Sequence, residues 1–187
     1  MKTILRNQQT LELRIAQPAD AKCVLTYIEQ VSGESTFLTF GPGEFSMTEA
    51  QEADYFRLSQ QRPNWVYLLG FVDGDLVTTA NITASDRSRL QHCGVLGMSV
   101  KRAFWGNGIG GAVLDHCVLW ARTNPILSKL DLKVRTDNTR AIALYRGRGF
   151  VEEGILRKQL LVDGVYCDLM AMGLDVSTPQ HGQPTIW

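Results

Sequence analysis

VLGMSVKRAFWGNGIGGAVLDHCVLW occupies residues 95–120 and holds three consecutive patterns. Val95–Val100 is a short apolar run with the length and β-branched content of a buried strand. Gly106–Gly111 carries four glycines. Beyond them, apolar residues recur at three- and four-residue spacing, which predicts one buried face of a helix. These residues are Val113, Leu114, Cys117, Trp120 and Ala121.

A strand, a glycine turn and a helix in this order predict a site for an anion. The first N–H groups of a helix have no partner within the helix, and the helix dipole adds partial positive charge there. Glycines remove the side chains that would keep a phosphate away from the backbone. We therefore expect Gly106–Gly111 to hold a phosphate or pyrophosphate. A tight turn that binds no ligand is the alternative.

The glycines also match the dinucleotide fingerprint G-x-G-x-x-G at Gly106, Gly108 and Gly111, with Asp131 about 20 residues downstream. Two observations disfavour a dinucleotide site. The fingerprint belongs after the first strand of a βαβ unit, whereas several strand-like runs precede it here. Lys129–Val134 alternates, so Asp131 lies on a strand face rather than at the carboxyl end of the strand.

Composition limits the class of protein. The chain has 187 residues, of which 44% are hydrophobic and 20% charged, and its 19 basic and 19 acidic side chains cancel. This is an ordinary globular mixture, and it predicts neither a nucleic-acid-binding nor a membrane-binding surface. The four cysteines stand singly, which disfavours a zinc site or a disulfide framework and favours a cytoplasmic protein. We expect one domain over residues 1–174 and a mobile tail over residues 175–187.

The rest of the chain predicts strands and helices on both sides of this segment. Asp20 and Thr48 are expected helix caps, the latter in a capping box with Gln51. Asp73-Gly74 and Asp163-Gly164 are expected hairpin turns. The residues expected on the inner face of the second helix are Tyr55, Phe56 and Leu58. The expected strands are Leu11–Ile15, Trp65–Val72, Leu76–Ala84, His92–Val100, Lys129–Val134, Val151–Val162 and Val165–Leu174.

Gly33–Ser46 has no period and carries phenylalanines at positions 37, 40 and 45. A loop this rich in aromatic side chains covers another part of the molecule. It either packs on the edge of the core or forms one wall of a substrate pocket. In the second case Phe37 contacts the substrate and Glu34 offers negative charge to a cationic amine.

Two segments together resemble the GNAT superfamily of acetyl-CoA-dependent N-acetyltransferases. The first is Trp105-Gly-Asn-Gly-Ile-Gly-Gly111, and the second, after a further strand, is Asn138-Thr-Arg-Ala-Ile-Ala-Leu-Tyr-Arg-Gly-Arg-Gly-Phe150. The resemblance extends over roughly Leu11–Leu174. It implies an α/β fold of the α+β type, with a mixed, mostly antiparallel sheet of about seven strands and about four flanking helices. It also implies that a bulged fourth strand separates from the fifth, and that acetyl-CoA enters the gap.

The resemblance implies roles for the residues at matching positions. Backbone groups of Met98, Ser99 and Val100 would hold the acetyl carbonyl and the pantetheine arm. Asn138 would bind the pantetheine, and Tyr145 would donate a proton to the departing thiolate. The residues around the pyrophosphate would be Trp105, Gly106, Asn107, Gly108, Ile109, Gly110 and Gly111.

The chemistry of acetyl transfer suits these residue types. Backbone N–H groups can stabilise the oxyanion that forms when an amine attacks a thioester carbonyl. A phenol with a pKa of about 10 is neutral at pH 7 and can serve as a general acid. The alternative for Tyr145 is a packing role against Leu144 and Phe150.

The sequence departs from the family pattern at the phosphate loop. Trp105 stands where the family often has Gln or Arg, so a direct side-chain contact to phosphate is lost there. Lys101 or Arg102 would supply the charge instead.

The second departure concerns the general base. Cys93–Met98 holds no acid, whereas many relatives carry their base in this strand. Glu34 is the first candidate to replace it, by analogy with the loop that faces the amine in similar proteins. Asp168, His92 and solvent are the alternatives.

These observations predict an N-acetyltransferase that moves an acetyl group from acetyl-CoA, without a metal, to a primary amine of a small molecule or a protein. Transfer would be direct, in a ternary complex, because Cys93 and Cys117 lack a paired histidine that could make either a nucleophile. The alternative is a non-catalytic module of the same fold that binds acyl-CoA as a sensor. We expect no nucleic-acid or membrane partner, and a homodimer through an edge strand is compatible with the pattern.

Overall fold

The computed structural model describes residues 1–177, which form one eight-stranded sheet in the order β1-β2-β3-β4-β5-β6-β8-β7. The strands are β1 Lys2–Ile4, β2 Thr10–Ile15, β3 Val66–Val72, β4 Asp75–Ala84, β5 Cys93–Val100, β6 Lys129–Arg135, β7 Val151–Val162 and β8 Val165–Asp175. The helices are α1 Ala21–Glu34, α2 Glu49–Gln61, α3 Ile109–Thr123 and α4 Thr139–Arg146, with short 3₁₀ turns at Pro18–Asp20 and Arg102–Phe104. None of the helices in residues 1–177 is both long and apolar enough to cross a bilayer.

The mixed, mostly antiparallel sheet predicted from the sequence is confirmed, with eight strands rather than about seven. The additional strand, Lys2–Ile4, pairs antiparallel with β2. Three residues are too few to show an alternating pattern, so β1 was missed. Within the described chain the one parallel pair is β5 with β6. The resemblance implied a bulge in the strand that is β5 here, but β5 pairs with β4 in unbroken register from Gly94 to Val100.

The two faces of the sheet carry separate hydrophobic cores. One core packs beneath α3 and α4 and includes Leu96, Leu114 and Ile142. The other packs beneath α1 and α2 and includes Tyr27, Phe56 and Tyr67. Since side chains alternate along a strand, consecutive residues of β3, β4 and β5 contribute their side chains to the two cores in turn.

Thr48 caps α2 in a capping box with Gln51, as predicted. Asp20 directly precedes α1 but its side chain does not cap the helix, because its carboxylate binds Arg14 and the N–H of Gln17 instead. α1 continues to Glu34, so Glu34 lies in the last helical turn rather than in the loop. The inner face of α2 differs from the expectation, because Leu58 is 37% exposed. The residues buried along that face are Glu52, Phe56 and Ser59, at the i, i+4, i+7 spacing of a helix.

Both predicted hairpin turns are present. Asp73-Gly74 joins β3 to β4 and Asp163-Gly164 joins β7 to β8, each with positive φ at both residues. At the C-terminal end, Val176 is buried and its N–H donates to Ser128 O at 2.9 Å. Of the tail expected over residues 175–187, residues 178–187 lie outside the described chain.

Candidate active site

A gap opens in the middle of the sheet where β5 and β6 separate. Their pairing covers three residues and ends at Val95 opposite Asp131. The N–H of Lys101 donates to Val77 O of β4. Because backbone N–H groups alternate in direction along a strand, the N–H of Ser99 also points toward β4. The N–H groups of Met98 and Val100 therefore point toward the gap. Two backbone donors therefore face the gap, where no strand of residues 1–177 pairs with them.

A cavity of about 1070 Å³ passes through this gap from one face of the sheet to the other. On the α3 and α4 side its lining residues include Gly106, Gly108, Gly110, Gly111, Asn138 and Tyr145. On the α1 and α2 side they include Glu34, Phe37, Phe40, Glu52, Tyr67 and Asn81. Met98, Ser99 and Val100 lie between the two groups, and every site residue predicted from the sequence except Asn107 lines this one cavity.

The glycine loop has a left-handed backbone conformation that residues other than glycine rarely adopt. Gly106 has φ +87°, and Gly108, the residue before α3, has φ +92°. A Cβ at Gly106 would face open space, so the conformation and not a close contact requires glycine there. The turn leads directly into the first N–H groups of α3, which is the arrangement expected of a phosphate site.

The positive charges near the loop are not those expected from the sequence. Lys101 lies over the Tyr27 ring, with Nζ 5.9 Å from its centroid, and neither Lys101 nor Arg102 lines the cavity. Arg6 lines it instead, and its backbone N–H donates to Asn107 O at 3.2 Å. Arg140 also lines the cavity and lies over the Trp105 ring at 5.4 Å.

Trp105 and Asn138 are held by hydrogen bonds to the backbone. The indole Nε1–H of Trp105 donates to Val100 O at 2.7 Å, which fixes the loop against the end of β5. Asn138 caps α4, because its Oδ1 accepts the N–H of Ala141 at 3.1 Å. This cap leaves the Asn138 amide nitrogen as the donor beside the cavity.

Tyr145 lines the cavity from α4, and its ring packs edge-on against Phe150 with centroids 5.8 Å apart. Its hydroxyl makes no hydrogen bond with any other group in residues 1–177. Burial raises the pKa of Tyr145 to about 12. The phenol is therefore neutral at pH 7 and can only donate its proton, as a general acid must.

On the opposite side of the gap, the loop after α1 forms an aromatic wall. Phe37, Phe40 and Phe45 all line the cavity, and the rings of Phe40 and Phe45 lie 5.5 Å apart. The guanidinium of Arg135 lies 4.9 Å from the centroid of the Phe37 ring. The wall is apolar with cationic and acidic groups at its margin, a mixture typical of small-molecule pockets.

Glu34 lines the same part of the cavity, but both of its carboxylate oxygens are engaged. Oε2 accepts the N–H of Arg102 at 2.7 Å, and Oε1 accepts Nε2 of Gln30 at 2.9 Å. These bonds tie the end of α1 to the turn after β5.

Glu52 is a second acid in this pocket, and the sequence analysis did not single it out. It projects from α2, is 2% exposed, and makes no hydrogen bond or ion pair with its carboxylate within residues 1–177. Burial raises its pKa from 4.5 to about 7. Its spacing from Phe56 and Ser59 marked it as an inner residue, but its charge favoured a surface position.

The other residues considered as a general base, a nucleophile or a ribose-binding acid are not suited to those roles. The N–H of Lys158 and the guanidinium of Arg157 hold the pKa of Asp168 below its ordinary value. Burial raises the pKa of Cys93 and raises that of Cys117 to about 12, so neither is an activated thiol. Asp131, the acid of the dinucleotide alternative, pairs with Lys129 at 2.8 Å. His92 does not line the cavity.

Comparison with known proteins gives a family match over the same region. Residues 33–150 match the model of the acetyltransferase (GNAT) family. That range contains the glycine loop, the gap, the aromatic wall and Tyr145.

Two curated relatives and one solved structure illustrate the similarity. The chain is 30% identical over 115 residues to the L-amino acid N-acetyltransferase AaaT of Escherichia coli, covering 59% of this chain and 68% of that protein. It is 35% identical over 106 residues to the N-alpha-acetyltransferase RimI of Mycobacterium tuberculosis, covering 57% of this chain and 63% of that protein. A GNAT-family acetyltransferase from Streptococcus pneumoniae superimposes with a TM-score of 0.86 at 31% identity, over 88% of this chain and 99% of that chain.

Proposed function

The chain belongs to the acetyltransferase (GNAT) family, and from that premise we propose that it transfers an acetyl group from acetyl-CoA to a primary amine. The acceptor is an α-amino group of a small molecule or of a peptide. Two relatives support this class, since one is named for L-amino acids and the other for N-alpha acetylation. The alternative is a module of the same fold that binds acyl-CoA without turning it over.

The observation that carries the proposal is the single cavity that crosses the sheet through the β5–β6 gap. A donor held by the glycine loop and an acceptor held under α1 and α2 can occupy this cavity at the same time. Direct transfer in a ternary complex needs this arrangement, because holding both reactants together removes the entropic cost of a bimolecular encounter.

The residues present on the donor side fit acetyl-CoA. Gly106–Gly111 and the start of α3 provide backbone donors for a pyrophosphate, with Arg6 beside them. The N–H groups of Met98 and Val100 face the position where a carbonyl oxygen would gain negative charge. Acetyl-CoA supplies the activated thioester, and Tyr145 supplies the proton for the thiolate.

Calorimetric titration with acetyl-CoA, and with NADH as the control, tests the donor site. We expect micromolar binding of acetyl-CoA and none of NADH, followed by release of free CoA when an amine is added. Binding without CoA release across an amine panel would favour the sensor. Absence of acetyl-CoA binding would refute the proposed function.

Tyr145→Phe removes the proposed acid and keeps the ring that packs on Phe150. We expect turnover to fall at least about 10-fold, because a positioned general acid typically contributes about 10²–10⁴-fold. The affinity for acetyl-CoA should stay within about twofold, because the glycine loop is unchanged. Steady-state CoA release and calorimetry measure the two quantities. Unchanged turnover would remove Tyr145 from the mechanism and leave it the packing role.

A further inference from the structure

We propose that Glu52 is the group that binds the acceptor's ammonium and then takes up the proton of the attacking amine. The inference rests on the proposed function and adds to it the general base and the charge of the acceptor. It replaces the strand acid that Cys93–Val100 lacks.

The first support is the position of Glu52 on the acceptor face of the sheet. Tyr67 of β3 pairs with Asn81 of β4, and Asn81 pairs with Gly97 of β5. Side chains of directly paired residues lie on the same face, and Tyr67 belongs to the core beneath α1 and α2. Glu52 lines the cavity on this face, so it lies on the side opposite the glycine loop.

The second support is that the cavity lined by Glu52 also reaches β5, at Gly97 and Ser99. A Cβ at Gly97 would lie 2.9 Å from Asn81 Oδ1, so the amide of Asn81 occupies the place that a side chain at Gly97 would take. Next to it, the hydroxyl of Ser99 lies 3.0 Å from that of Tyr27 and 3.3 Å from that of Thr79. The pocket is therefore polar along β5, next to the Met98 and Val100 donors.

The third support is that the other acids of the cavity are engaged. Glu34 accepts two hydrogen bonds, and Asp137 binds the Arg135 guanidinium through both oxygens, at 3.0 and 2.6 Å. Glu52 alone among the cavity acids of residues 1–177 has no such partner. A buried carboxylate without a partner is costly, so a cationic ligand gains most at this position.

The titratable groups around Glu52 leave it free to act. Tyr55 on its own helix and Tyr67 on β3 both have raised pKa values, chiefly through burial and then through the charge of Glu52. Tyr27 of α1 also has a raised pKa, chiefly through burial. These phenols are neutral near pH 7, so the acid is the group that changes charge there. Lys133 and Arg135 line the cavity from β6.

The proton and electron balance of the step is simple. The bound ammonium loses one proton to solvent, and the amine nitrogen forms a bond to the thioester carbon. Glu52 accepts the surplus proton of that nitrogen, the carbon–sulfur bond breaks, and Tyr145 protonates the thiolate. Solvent then returns a proton to Tyr145 and removes one from Glu52. One proton is released for each acetyl group transferred.

Glu52→Gln tests this role, since it keeps the shape of the side chain and removes the carboxylate. The probes are L-methionine, the tripeptide Ala-Gly-Gly and spermidine, each at saturating acetyl-CoA. We expect kcat/KM to fall about 100-fold with the amine that the wild type uses best, a loss typical of a general base. The limb of the wild-type pH profile that rises near pH 7 should disappear in the variant. Acetyl-CoA affinity, measured by calorimetry, should not change.

Glu49→Gln is the matched control, because Glu49 is an exposed acid on the same helix and does not line the cavity. We expect wild-type rates from it. If Glu52→Gln has wild-type rates and pH profile while the wild type binds and uses acetyl-CoA, Glu52 is not the base and the proposed function stands. If the wild type binds acetyl-CoA but acetylates none of the amines, both proposals fail. If Glu52→Gln also loses acetyl-CoA binding, the role of Glu52 is structural.

Discussion

Gly108→Asp is expected to weaken acetyl-CoA binding at least about 100-fold. The new carboxylate would stand at the entrance to α3, where the pyrophosphate is expected. Two like charges about 4 Å apart repel by roughly 4 kcal/mol at an effective dielectric constant of about 20. The left-handed backbone of Gly108, at φ +92°, adds about 1–2 kcal/mol of strain for any side chain. Calorimetric titration with acetyl-CoA measures the effect.

Two further variants separate charge from strain. Gly108→Asn carries the same backbone strain without the charge, so its loss of affinity should be at least about tenfold smaller than that of Gly108→Asp. Gly74→Asp places an aspartate at a similar φ of +87° in the β3–β4 turn, away from the cavity, and should leave binding unchanged. Equal losses in the two Gly108 variants would show that the loop shape alone is needed. Wild-type binding by Gly108→Asp would refute the phosphate site.

Glu52→Gln is expected to stabilise the protein at pH 8 by about 3 kcal/mol while it lowers activity. Burial raises the pKa of Glu52 from 4.5 to about 7, so the folded protein holds this proton more tightly than the unfolded chain. The wild type therefore loses stability as pH rises from about 4.5 to 7, at about 1.4 kcal/mol per pH unit. Glutamine does not ionise, so the variant avoids this loss.

Urea unfolding at pH 5 and pH 8 tests the direction of the stability change and the pH range over which it occurs. The two proteins should differ little at pH 5, and the variant should gain about 2–3 kcal/mol over the wild type by pH 8. Near pH 8 this corresponds to a rise in Tm of roughly 6–10 °C for a chain of this size. Glu49→Gln should follow the wild type at both pH values, since Glu49 is exposed. A variant that is less stable than the wild type at pH 8 would show that the Glu52 carboxylate is favourably bound in the fold.

The glycine turn and the sheet on either side of it could be predicted because their chemistry is local. Gly106–Gly111, the Thr48 cap and the two Asp-Gly turns are each determined by a few consecutive residues. The pairing of β5 with β6 ends after three residues, and no local pattern in either strand shows where it ends.

The residues that the sequence analysis missed lie far along the chain from the motifs. Arg6 reaches the glycine loop from the turn between β1 and β2, about 100 residues earlier. Glu52 was not singled out because charged residues are rarely buried, and the expected inner residue Leu58 proved exposed. A charged residue in phase with a buried helix face was the available indication, and such exceptions concentrate at functional sites.

The short β5–β6 pairing has a mechanical consequence for the whole molecule. Within the sheet, three backbone pairs join a five-stranded lobe, β1–β5, to a three-stranded lobe, β6 with β8 and β7. The core beneath α3 and α4 spans both lobes as well. A donor lying in the gap would supply the bridging hydrogen bonds that the strands do not make with each other. Its binding free energy would then also stabilise the two lobes against separation. The protein with the donor bound is therefore expected to be more stable than the free protein.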